Sequence, residues 1–461
     1  MNSDNITYQN IKNIYFLGIG GIGMSALARY FNANGKKVKG YDKTPSPLTD
    51  KLIAEGIEIC FEDDINLLDK ETDLVVYTPA IPKNHQQYNW YVENGFEVRK
   101  RSYVLGMLTE GTFCIAVAGS HGKTTVSSMI AHILNETIGC TAFLGGIVND
   151  FESNYINSNN EIVVVEADEY DRSFMTLKPN ITVITSVDSD HLDIYGSFEN
   201  IIKEFREFAQ LVDKDGVLIE HHTVAVLNLN EEVSTLSYGL DEGEVEIASY
   251  DIEDGKYLFD VDFFFEDIND FELSLPGAHN MENALAAIAV AKSMHISNRK
   301  IKRALSRFKG IYRRFEKRAE NENTIYIDDY AHHPNEVKAL LESVNEMFPE
   351  RKVIAVFQPH LFSRTKDLAS DFATQLSLAD EVVLLPIYPA RELPIEGVSS
   401  KLILKDIKSK QKIIVEKEAL LEHIKSTLNN SKQKNVLLTV GAGDIDRFLK
   451  PISEMIEGIN D

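Results

Sequence analysis

Cysteine is scarce in this sequence of 461 residues, and its three cysteines, Cys60, Cys114 and Cys140, are not in Cys-x-x-Cys spacing. This excludes a disulfide framework or a zinc site built from cysteine pairs. No apolar run approaches the roughly 18 residues of a membrane span, and the polar start lacks the apolar core of a signal peptide. Basic residues are fewer than acidic ones, which gives a formal net charge of −24. This negative charge repels nucleic acid and anionic membranes. We therefore expect a cytoplasmic globular protein that binds no nucleic acid and does not insert into a membrane.

The most informative stretch is residues 119–125, Gly-Ser-His-Gly-Lys-Thr-Thr, which joins an apolar run over 113–118 to a segment of helical periodicity. In such a strand–helix turn, glycines let backbone N–H groups approach phosphate oxygens. Lys123 can then span the terminal phosphates, and Thr124 can offer its hydroxyl to Mg²⁺. The stretch predicts a nucleotide phosphate site, although Val117 stands where the usual pattern has a further glycine. An ordinary turn with a solvated lysine is the alternative.

A second glycine-rich turn, Gly18-Ile-Gly-Gly-Ile-Gly23, follows a strand predicted over 14–17 and opens a helix predicted to stop at Asn34-Gly35. The next predicted strand, 38–41, leads into Asp42, so the turn has the spacing of a dinucleotide-binding fingerprint. Taken alone, this pattern predicts that the turn binds NAD. Because glycines and a helix dipole bind any pyrophosphate without reading the base, we expect a diphosphate ligand here. A purely structural turn stays open as the alternative.

Two further strands of the central region end in polar residues. The run 162–165 leads into Glu166, and a strand predicted over 181–187 is followed by His191. Ligands gather at the carboxyl ends of strands in an open parallel sheet, so both side chains are expected at the edge that carries the phosphate site. Carboxylate oxygens suit Mg²⁺, and a neutral imidazole can complete a metal site. A solvated strand end for Glu166 and a structural hydrogen bond for His191 are the alternatives.

The last third of the chain again alternates between strands and helices, which predicts a third doubly wound α/β unit. It starts with an alternating pattern over 311–316. The strands that follow are predicted over 324–328, 352–357, 381–385 and 436–440. Their ends carry histidines, aspartates and arginines, and several such clusters in one domain favour a functional site.

Taken together, these motifs resemble those of the Mur ligase family, and the resemblance runs from Gly18 to Asp444. The motifs that carry it are Gly-Ile-Gly-Gly-Ile-Gly-Met-Ser-Ala, Gly-Ser-His-Gly-Lys-Thr-Thr, Glu166-Ala-Asp-Glu, Asp190-His-Leu-Asp193, Arg313-Arg-Phe, Asp328-Asp-Tyr-Ala-His-His-Pro, Gln358-Pro-His and Gly441-Ala-Gly-Asp. The resemblance implies a three-domain α/β fold of doubly wound parallel sheets with a P-loop-type central ATPase domain. It implies a UDP-sugar-binding Rossmann-like domain at 1–112, an ATP-binding domain at 113–311 and a Rossmann-like amino-acid-binding domain at 312–461.

The activity that the resemblance implies is an ATP- and Mg²⁺-dependent ligation in peptidoglycan precursor synthesis. L-Alanine would be joined to the lactyl carboxylate of UDP-N-acetylmuramate through an acyl phosphate, with release of ADP and phosphate, by a monomer or homodimer. A related ligase that attaches a ready-made tripeptide to the same sugar nucleotide is the near alternative, but that group lacks the Gln-Pro-His…Arg-Thr stretch found here over 358–365. An NAD-dependent oxidoreductase leaves the phosphate site unexplained. A non-catalytic nucleotide switch would not need the charged residues of the third domain.

Carried over by position, the resemblance implies a role for individual residues. The ATP-binding residues would be Gly119, Ser120, His121, Gly122, Lys123, Thr124, Thr125, His279, Asn283 and Asp329. The metal ligands would be Thr124, Glu166 and His191. The substrate-binding residues would be Gly18, Gly20, Gly23, Ser25, Asp42, Arg313, Arg314, His360 and Arg364. The catalytic residues would be Lys123, His332, His333 and Arg364, with either histidine as the base for the amine and Arg364 as a fork for a carboxylate.

Two positions depart from the family pattern. Some relatives carry a second arginine where Leu361 stands here, which leaves Arg364 as the main anionic contact of this stretch. Several Mur ligases use a carbamylated lysine downstream of the Asp-His motif. Lys203 is the nearest downstream lysine but does not align securely, so a carbamate is not inferred.

Overall fold

The computed structural model describes residues 10–158, 160–188, 195–227, 233–253, 255–390 and 392–458. Among these residues, no helix combines the length and the apolar character that crossing a membrane requires. The strands are β1 (Asn13–Leu17), β2 (Lys37–Tyr41), β3 (Glu58–Cys60), β4 (Leu74–Tyr77), β5 (Val98–Lys100), β6 (Phe113–Ala118), β7 (Thr141–Val148), β8 (Ser153–Ile156), β9 (Ile162–Glu166), β10 (Ile181–Ile184), β11 (Val217–His221), β12 (Ser234–Gly239), β13 (Val245–Glu253), β14 (Lys256–Phe263), β15 (Glu266–Leu273), β16 (Glu316–Glu320), β17 (Thr324–Asp329), β18 (Lys352–Phe357), β19 (Glu381–Leu384), β20 (Gln411–Ile414) and β21 (Asn435–Val440). The helices are α1 (Ile22–Ala33), α2 (Pro47–Ala54), α3 (Gln86–Glu93), α4 (Arg101–Thr109), α5 (Lys123–Asn135), α6 (Phe198–Ala209), α7 (Ala278–Ser293), α8 (Asn298–Leu305), α9 (Pro334–Met347), α10 (Phe362–Leu376), α11 (Lys401–Leu404), α12 (Leu420–Asn430) and α13 (Leu449–Gly458).

The first sheet consists of five parallel strands in the order β3-β2-β1-β4-β5. All residues of β1 except the first are buried, as expected for a central strand of a parallel sheet. α1 begins at Ile22, within the glycine-rich motif 18–23, and ends at Ala33. Gly35 follows with a φ of +72°, a left-handed conformation that ends helices at little cost for glycine. The predicted succession of strand, glycine turn, helix and strand is therefore confirmed.

The first and second sheets share one hydrophobic core, to which α1 contributes Leu27 and Phe31 and the strands of the second sheet contribute Ala116 and Val165. The ring of Tyr30, also on α1, lies 5.5 Å from that of Phe143 on β7. The chain accordingly divides into two compact units. The first comprises Met1–Ser249, Phe259–Phe271 and Met281–Phe308, and the second comprises Tyr250–Leu258, Glu272–Asn280 and Lys309–Asp461. The domain limits at 112 and 311 stay predictions.

The second sheet has ten strands in the order β15-β14-β13-β12-β11-β10-β6-β9-β7-β8. Its inner strands β11, β10, β6 and β9 are parallel, and all residues of β6 except Phe113 are buried. β6 has the predicted bounds, whereas β10 ends at Ile184, earlier than the predicted residue 187. The backbone N–H of Thr185 donates to the carbonyl of Ala118 at 2.9 Å, so the segments that follow β6 and β10 lie side by side.

The third sheet lies in the second compact unit and has the order β16-β17-β21-β18-β19-β20. Only β16 runs antiparallel to its neighbour, β17. The segment 311–315, which opens the third region, is a turn in which Arg313 and Phe315 have φ values of 60° and 42°, and β16 begins directly after it at Glu316. The N–H of Phe315 donates to Oδ2 of Asp329 at 2.7 Å, which holds the turn in this left-handed conformation.

Candidate functional site

The turn between β6 and α5 requires glycine at two positions. Gly119 and Gly122 have φ values of +140° and +79°, which side chains rarely adopt. A Cβ on Gly119 would overlap Oγ1 of Thr185, and one on Gly122 would lie 2.8 Å from Oδ1 of Asn283. Asn283, predicted to bind ATP, therefore lies beside this turn within the first compact unit. The backbone of the turn is shaped by glycine as the sequence predicts for a phosphate-binding loop.

Residues after β10 hold the other side of this loop, and the sequence pattern did not identify them. The N–H of His121 donates to Oγ of Ser186 at 2.9 Å, and the N–H of Asp188 donates to Oγ of Ser120 at 2.8 Å. Nε2 of His121 lies 3.2 Å from Oδ2 of Asp188. Ser120 and His121 are thus fixed by the neighbouring strand end, and α5 begins at Lys123 with its N-terminus beside them.

The ammonium group of Lys123 is paired with a buried carboxylate. Its Nζ lies 2.9 Å from Oε1 of Glu169, donates to the carbonyl of Ser120 at 3.3 Å, and also donates to the carbonyl of Gly119. Burial raises the pKa of Glu169, while the charge of Lys123 and its hydrogen bond lower it. Lys123 therefore lies over the loop with its charge balanced by a partner 46 residues away in the sequence.

The side chains of Thr124 and Glu166 meet at the edge of the sheet. Oγ1 of Thr124 donates to Oε1 of Glu166 at 3.1 Å, and the N–H of Gly145 donates to Oε2 of Glu166 at 2.9 Å. A Cβ on Gly145 would overlap this carboxylate, so glycine is needed there. The hydroxyl and the carboxylate are oxygen donors of the kind that Mg²⁺ prefers.

The third predicted metal ligand, His191, lies outside the described residues. Within the ranges that the structure describes, no group of three or more His, Cys, Asp and Glu side chains has the arrangement of a metal site. A metal site at Thr124 and Glu166 therefore stays a proposal that includes His191.

The glycine-rich turn after β1 is fixed by Asp42. The N–H of Gly20 donates to Oδ2 of Asp42 at 2.7 Å, and Gly18 has a φ of +86°. Ser25 lies behind the turn: it is fully buried, its Oγ donates to the carbonyl of Ile22 at 2.9 Å, and it accepts from Nδ2 of Asn154 at 3.0 Å. The Ser25 hydroxyl therefore hydrogen-bonds within the protein, to Ile22 and Asn154, and its predicted contact with substrate stays a prediction.

In the second compact unit, imidazole, aromatic and charged side chains cluster at the strand ends. The ring of His332 lies 6.0 Å from that of His360, which stacks on Tyr388 at 5.7 Å. Burial lowers the pKa of His332, and the nearby charges of Arg364 and Arg314 lower it further, against the opposing effect of Glu336. The structure therefore brings together His332, His360, Arg314 and Arg364, which the sequence predicted for this site.

Within this cluster, the hydrogen bonds distinguish the two candidate histidines. Nδ1 of His332 lies 3.0 Å from the carbonyl of Tyr330, and a carbonyl accepts only, so Nδ1 carries the proton and Nε2 keeps a lone pair in the neutral ring. The backbone N–H groups of His332 and His333 donate to Oε2 of Glu336 at 2.8 and 3.1 Å. His333 precedes α9 as its capping position.

The guanidinium of Arg364 offers a free donor. Nη1 of Arg364 is buried and has no hydrogen-bond partner in the described part of the chain. A buried donor without a partner is costly, so such a group indicates a site where a ligand oxygen belongs.

Arg313 and its partner Asp328 lie in the interior of the second unit. Nε of Arg313 donates to Oδ2 of Asp328 at 2.8 Å, and its Nη2 donates to the carbonyl of Gly441 at 2.7 Å. Side-chain exposure is 6% for Arg313 and zero for Asp328. These contacts join the turn at 311–315 to the ends of β17 and β21 and give Arg313 a structural role, in contrast to its predicted contact with substrate.

Two more residues predicted to bind ATP lie in the second unit. Asp329 accepts from the N–H groups of Phe315 and Ala331, each at 2.7 Å, and burial raises its pKa to about 6. The ring of His279 lies beside Gly277, whose added Cβ would be 2.6 Å from Cε1 of the imidazole. Their roles toward ATP stay predictions.

Three family models match successive parts of the chain. The "Mur ligase family, catalytic domain" matches residues 13–112, the "Mur ligase middle domain" matches 117–291, and the "Mur ligase, glutamate ligase domain" matches 313–443. The models therefore cover the regions of all three sheets.

Full-length relatives agree with these matches. The chain is 48% identical over 452 residues to UDP-N-acetylmuramate–L-alanine ligase of Flavobacterium psychrophilum, covering 97% of this chain and 98% of the relative. It is 45% identical over 457 residues to the protein of that name from Porphyromonas gingivalis, covering 97% and 99%.

Solved structures show the same architecture. The crystal structure of UDP-N-acetylmuramate-alanine ligase from Thermotoga maritima has a TM-score of 0.84 at 29% identity, covering 97% of this chain and 100% of that one. A murein peptide ligase from Psychrobacter arcticus has a TM-score of 0.66 at 22% identity, covering 97% and 98%, and shares the fold. The three-domain α/β architecture expected from the sequence is thereby confirmed. With full-length relatives at this level of identity, the chain belongs to the Mur ligase family.

Proposed function

We propose that this protein is an ADP-forming ligase that joins L-alanine to the lactyl carboxylate of UDP-N-acetylmuramate, using ATP and Mg²⁺, in the cytoplasmic stage of peptidoglycan precursor synthesis. The observation that carries the proposal is its similarity, over 97% of the chain, to ligases of this name. The loop around Lys123, with Thr124 and Glu166 at its edge, supplies residues suited to the phosphate chemistry.

The chemistry follows from the low reactivity of a carboxylate toward an amine. The lactyl carboxylate attacks the γ-phosphorus of ATP, ADP leaves, and the resulting acyl phosphate is then attacked by the amine of alanine, which displaces phosphate. The first step brings two anions together, so Lys123 stabilises the charge that develops on the transferred phosphoryl group. Backbone N–H groups at the start of α5 bind the phosphates.

Mg²⁺ fits the residues at the edge of the second sheet. The Thr124 hydroxyl and the Glu166 carboxylate are within 3.1 Å of each other and are both oxygen donors. These two residues would hold the ion, with His191 as the further proposed ligand. When bound, Mg²⁺ neutralises negative charge on phosphate oxygens.

The tripeptide-attaching ligase is the nearest alternative function. The structure of a murein peptide ligase shares the fold at 22% identity, whereas full-length relatives at 48% and 45% identity are named as L-alanine ligases. The resemblance implies the same preference, because the tripeptide-attaching group is expected to lack the stretch that this chain carries over 358–365, with His360 and Arg364.

One assay tests the proposed function directly. The purified protein is incubated with ATP, Mg²⁺ and UDP-N-acetylmuramate, and single amino acids or the tripeptide are added in separate reactions. The masses of the products are then measured by mass spectrometry. We expect a product that has gained one alanine, with an equal amount of ADP. A product that contains the tripeptide would identify the alternative, and no ADP release by the folded protein with alanine and the sugar nucleotide would reject the ligase.

We assign the general base to His332, because its neutral ring presents Nε2 as an acceptor and its pKa is lowered by burial. His332→Gln is expected to slow the alanine-dependent step by ~10²-fold or more. Rapid-quench measurement of the amide product, separate from ADP formed with the sugar nucleotide alone, isolates this step. His333→Gln is the matched comparison; a larger loss there than at His332 would transfer the role to His333.

We propose that Arg364 binds the carboxylate of alanine. The parallel N–H donors of its guanidinium match two carboxylate oxygens, and its Nη1 is buried without a partner in the described residues. Arg364→Lys keeps the positive charge but loses the pair of parallel N–H donors. It is expected to raise the KM for alanine roughly 10-fold or more while the KM for ATP changes little. Steady-state kinetics with each substrate varied in turn provide the measurement, and equal increases in both constants would contradict the assignment.

A further inference from the structure

Arg101 is a cation at the glycine-rich turn that the sequence motifs do not include. It is the first residue of α4, directly after β5. A Cβ on Gly23 would lie 2.9 Å from Nη1 of Arg101 and 3.2 Å from its Cζ. The absence of a side chain at Gly23 therefore leaves the space that the guanidinium occupies, over the first turn of α1, whose N-terminus already favours an anion.

The other side of the same guanidinium faces the second sheet. Nη2 of Arg101 lies 3.5 Å from Oδ2 of Asp168, with side-chain exposures of 19% and 43%. In the sequence, Asp168 lies between two carboxylates of the proposed ATP site. Glu166 contacts Thr124, and Glu169 pairs with Lys123. Arg101 thus connects the proposed diphosphate turn with the acidic segment of the proposed ATP site, inside one compact unit.

α4 is held firmly in this position by close packing. A Cβ on Gly106 would lie 2.5 Å from the carbonyl oxygen of Thr176, and Oγ1 of Thr176 donates to the carbonyl of Ser102 at 2.9 Å. The helix that starts at Arg101 is therefore packed directly against the segment that follows Asp168. These contacts fix the start of α4, from which the Arg101 side chain extends, and the partly exposed ion pair at 3.5 Å contributes little by itself.

From this arrangement we infer that Arg101 is a further substrate-binding residue, which contacts anionic oxygens of the sugar nucleotide and positions its acidic end toward the ATP site. The inference rests on the proposed function. Gly23 belongs to the turn proposed for the diphosphate, so diphosphate oxygens are the nearer partner, and the lactyl carboxylate is the second source of the same anionic chemistry. A planar guanidinium with donors on two edges can keep Asp168 and bind such an oxygen at the same time.

The test measures the binding of UDP-N-acetylmuramate to the full-length protein by isothermal titration calorimetry, without turnover. Arg101→Ala is expected to raise the Kd roughly 10- to 100-fold, the effect of losing a charge-assisted hydrogen bond, and to leave the Kd for ATP within about 2-fold. Arg101→Lys should recover part of the affinity. UDP-N-acetylglucosamine lacks the lactyl carboxylate and therefore distinguishes contact with the diphosphate from contact with the carboxylate. If Arg101→Ala raises the Kd of both sugar nucleotides, the guanidinium contacts the diphosphate. If it raises only the Kd of UDP-N-acetylmuramate, the guanidinium contacts the carboxylate.

Two control variants separate binding from a structural role. Arg99→Ala removes an exposed guanidinium, which bonds to Glu97 and stacks on Tyr103, and should leave sugar-nucleotide affinity unchanged. Asp168→Asn removes the ion pair but keeps the guanidinium, so affinity should stay or increase. Equal weakening by Asp168→Asn and Arg101→Ala, or unchanged affinity in Arg101→Ala, would overturn the inference. Wild-type protein that does not bind UDP-N-acetylmuramate would instead reject the proposed function.

Discussion

Replacing Lys123 with alanine is expected to lower turnover by ~10²–10³-fold or more, the usual cost of removing one donor that stabilises transition-state charge. The ammonium group lies over the loop between β6 and α5, within hydrogen-bond distance of the Ser120 carbonyl and of Glu169. A phosphate oxygen placed on this loop would meet the same ammonium group. We expect the loss mainly in the rate constant for acyl phosphate formation, measured by rapid quench as ADP formed with UDP-N-acetylmuramate in the first turnover.

The control for Lys123 must account for Glu169, which loses its cation in the variant. Glu169 is only 4% exposed, and an unpaired buried carboxylate is destabilising. The double variant Lys123→Ala/Glu169→Gln removes both charges and is expected to unfold at nearly the wild-type temperature while staying inactive. Lys178→Ala, which breaks an exposed ion pair with Glu110, should keep full activity. Near-normal ADP release by the folded double variant would show that Lys123 does not act on the phosphates.

The parts of the fold that the sequence predicted best depend on contiguous patterns. β6 is an unbroken apolar run that ends in a glycine loop, and its predicted bounds are those of the structure. α1 begins at Ile22, inside the glycine-rich motif, and ends at Ala33, directly before the expected stop at Asn34-Gly35. In both cases the residues that determine the conformation are neighbours in the chain, so a local reading is sufficient.

The features that the sequence did not predict arise where distant residues determine the conformation or the exposure. The alternating pattern over 311–316 does not reveal the turn over 311–315, whose left-handed residues are stabilised by the hydrogen bond from Phe315 to Asp329. Ser25 follows the glycine turn closely in sequence, yet its side chain is buried and bonded to Asn154, 129 residues away. No local pattern contains either partner.

The same reason explains which site residues were missed. Lys123 and Thr124 are recognisable within one short motif, but Gly145 beside Glu166 and Arg101 beside Gly23 come from other elements. A glycine that must make room for a carboxylate or a guanidinium looks like any other glycine in the sequence. The chemistry of the proposed site was therefore predictable from its motifs, whereas the side chains that position it became visible only in the fold.

Arg313→Met is expected to lower the stability of the second unit by about 3–5 kcal/mol, because it leaves a buried carboxylate without its cation. Asp328 is fully buried and, besides Arg313, accepts only a 2.6 Å hydrogen bond from Oγ1 of Thr439 among the described contacts. Methionine retains much of the arginine's apolar volume, so the loss reports the charge and its hydrogen bonds rather than a cavity. Hydrogen exchange of the β17 and β21 amides measures the local opening free energy, because Asp328 lies on β17 and its partner Thr439 lies on the adjacent strand β21.

Two further variants decide between this structural role and the substrate contact predicted from the sequence. Arg313→Met/Asp328→Asn removes the uncompensated charge and should regain most of the lost stability. Lys317→Ala, which breaks an exposed pair with Glu320 on the adjacent strand β16, should cost less than about 1 kcal/mol. If Arg313→Met instead left the exchange of β17 and β21 unchanged and raised the KM for a substrate, the guanidinium would be a ligand contact. Because Nε and Nη2 already bond to Asp328 and to the Gly441 carbonyl, we expect the loss in stability.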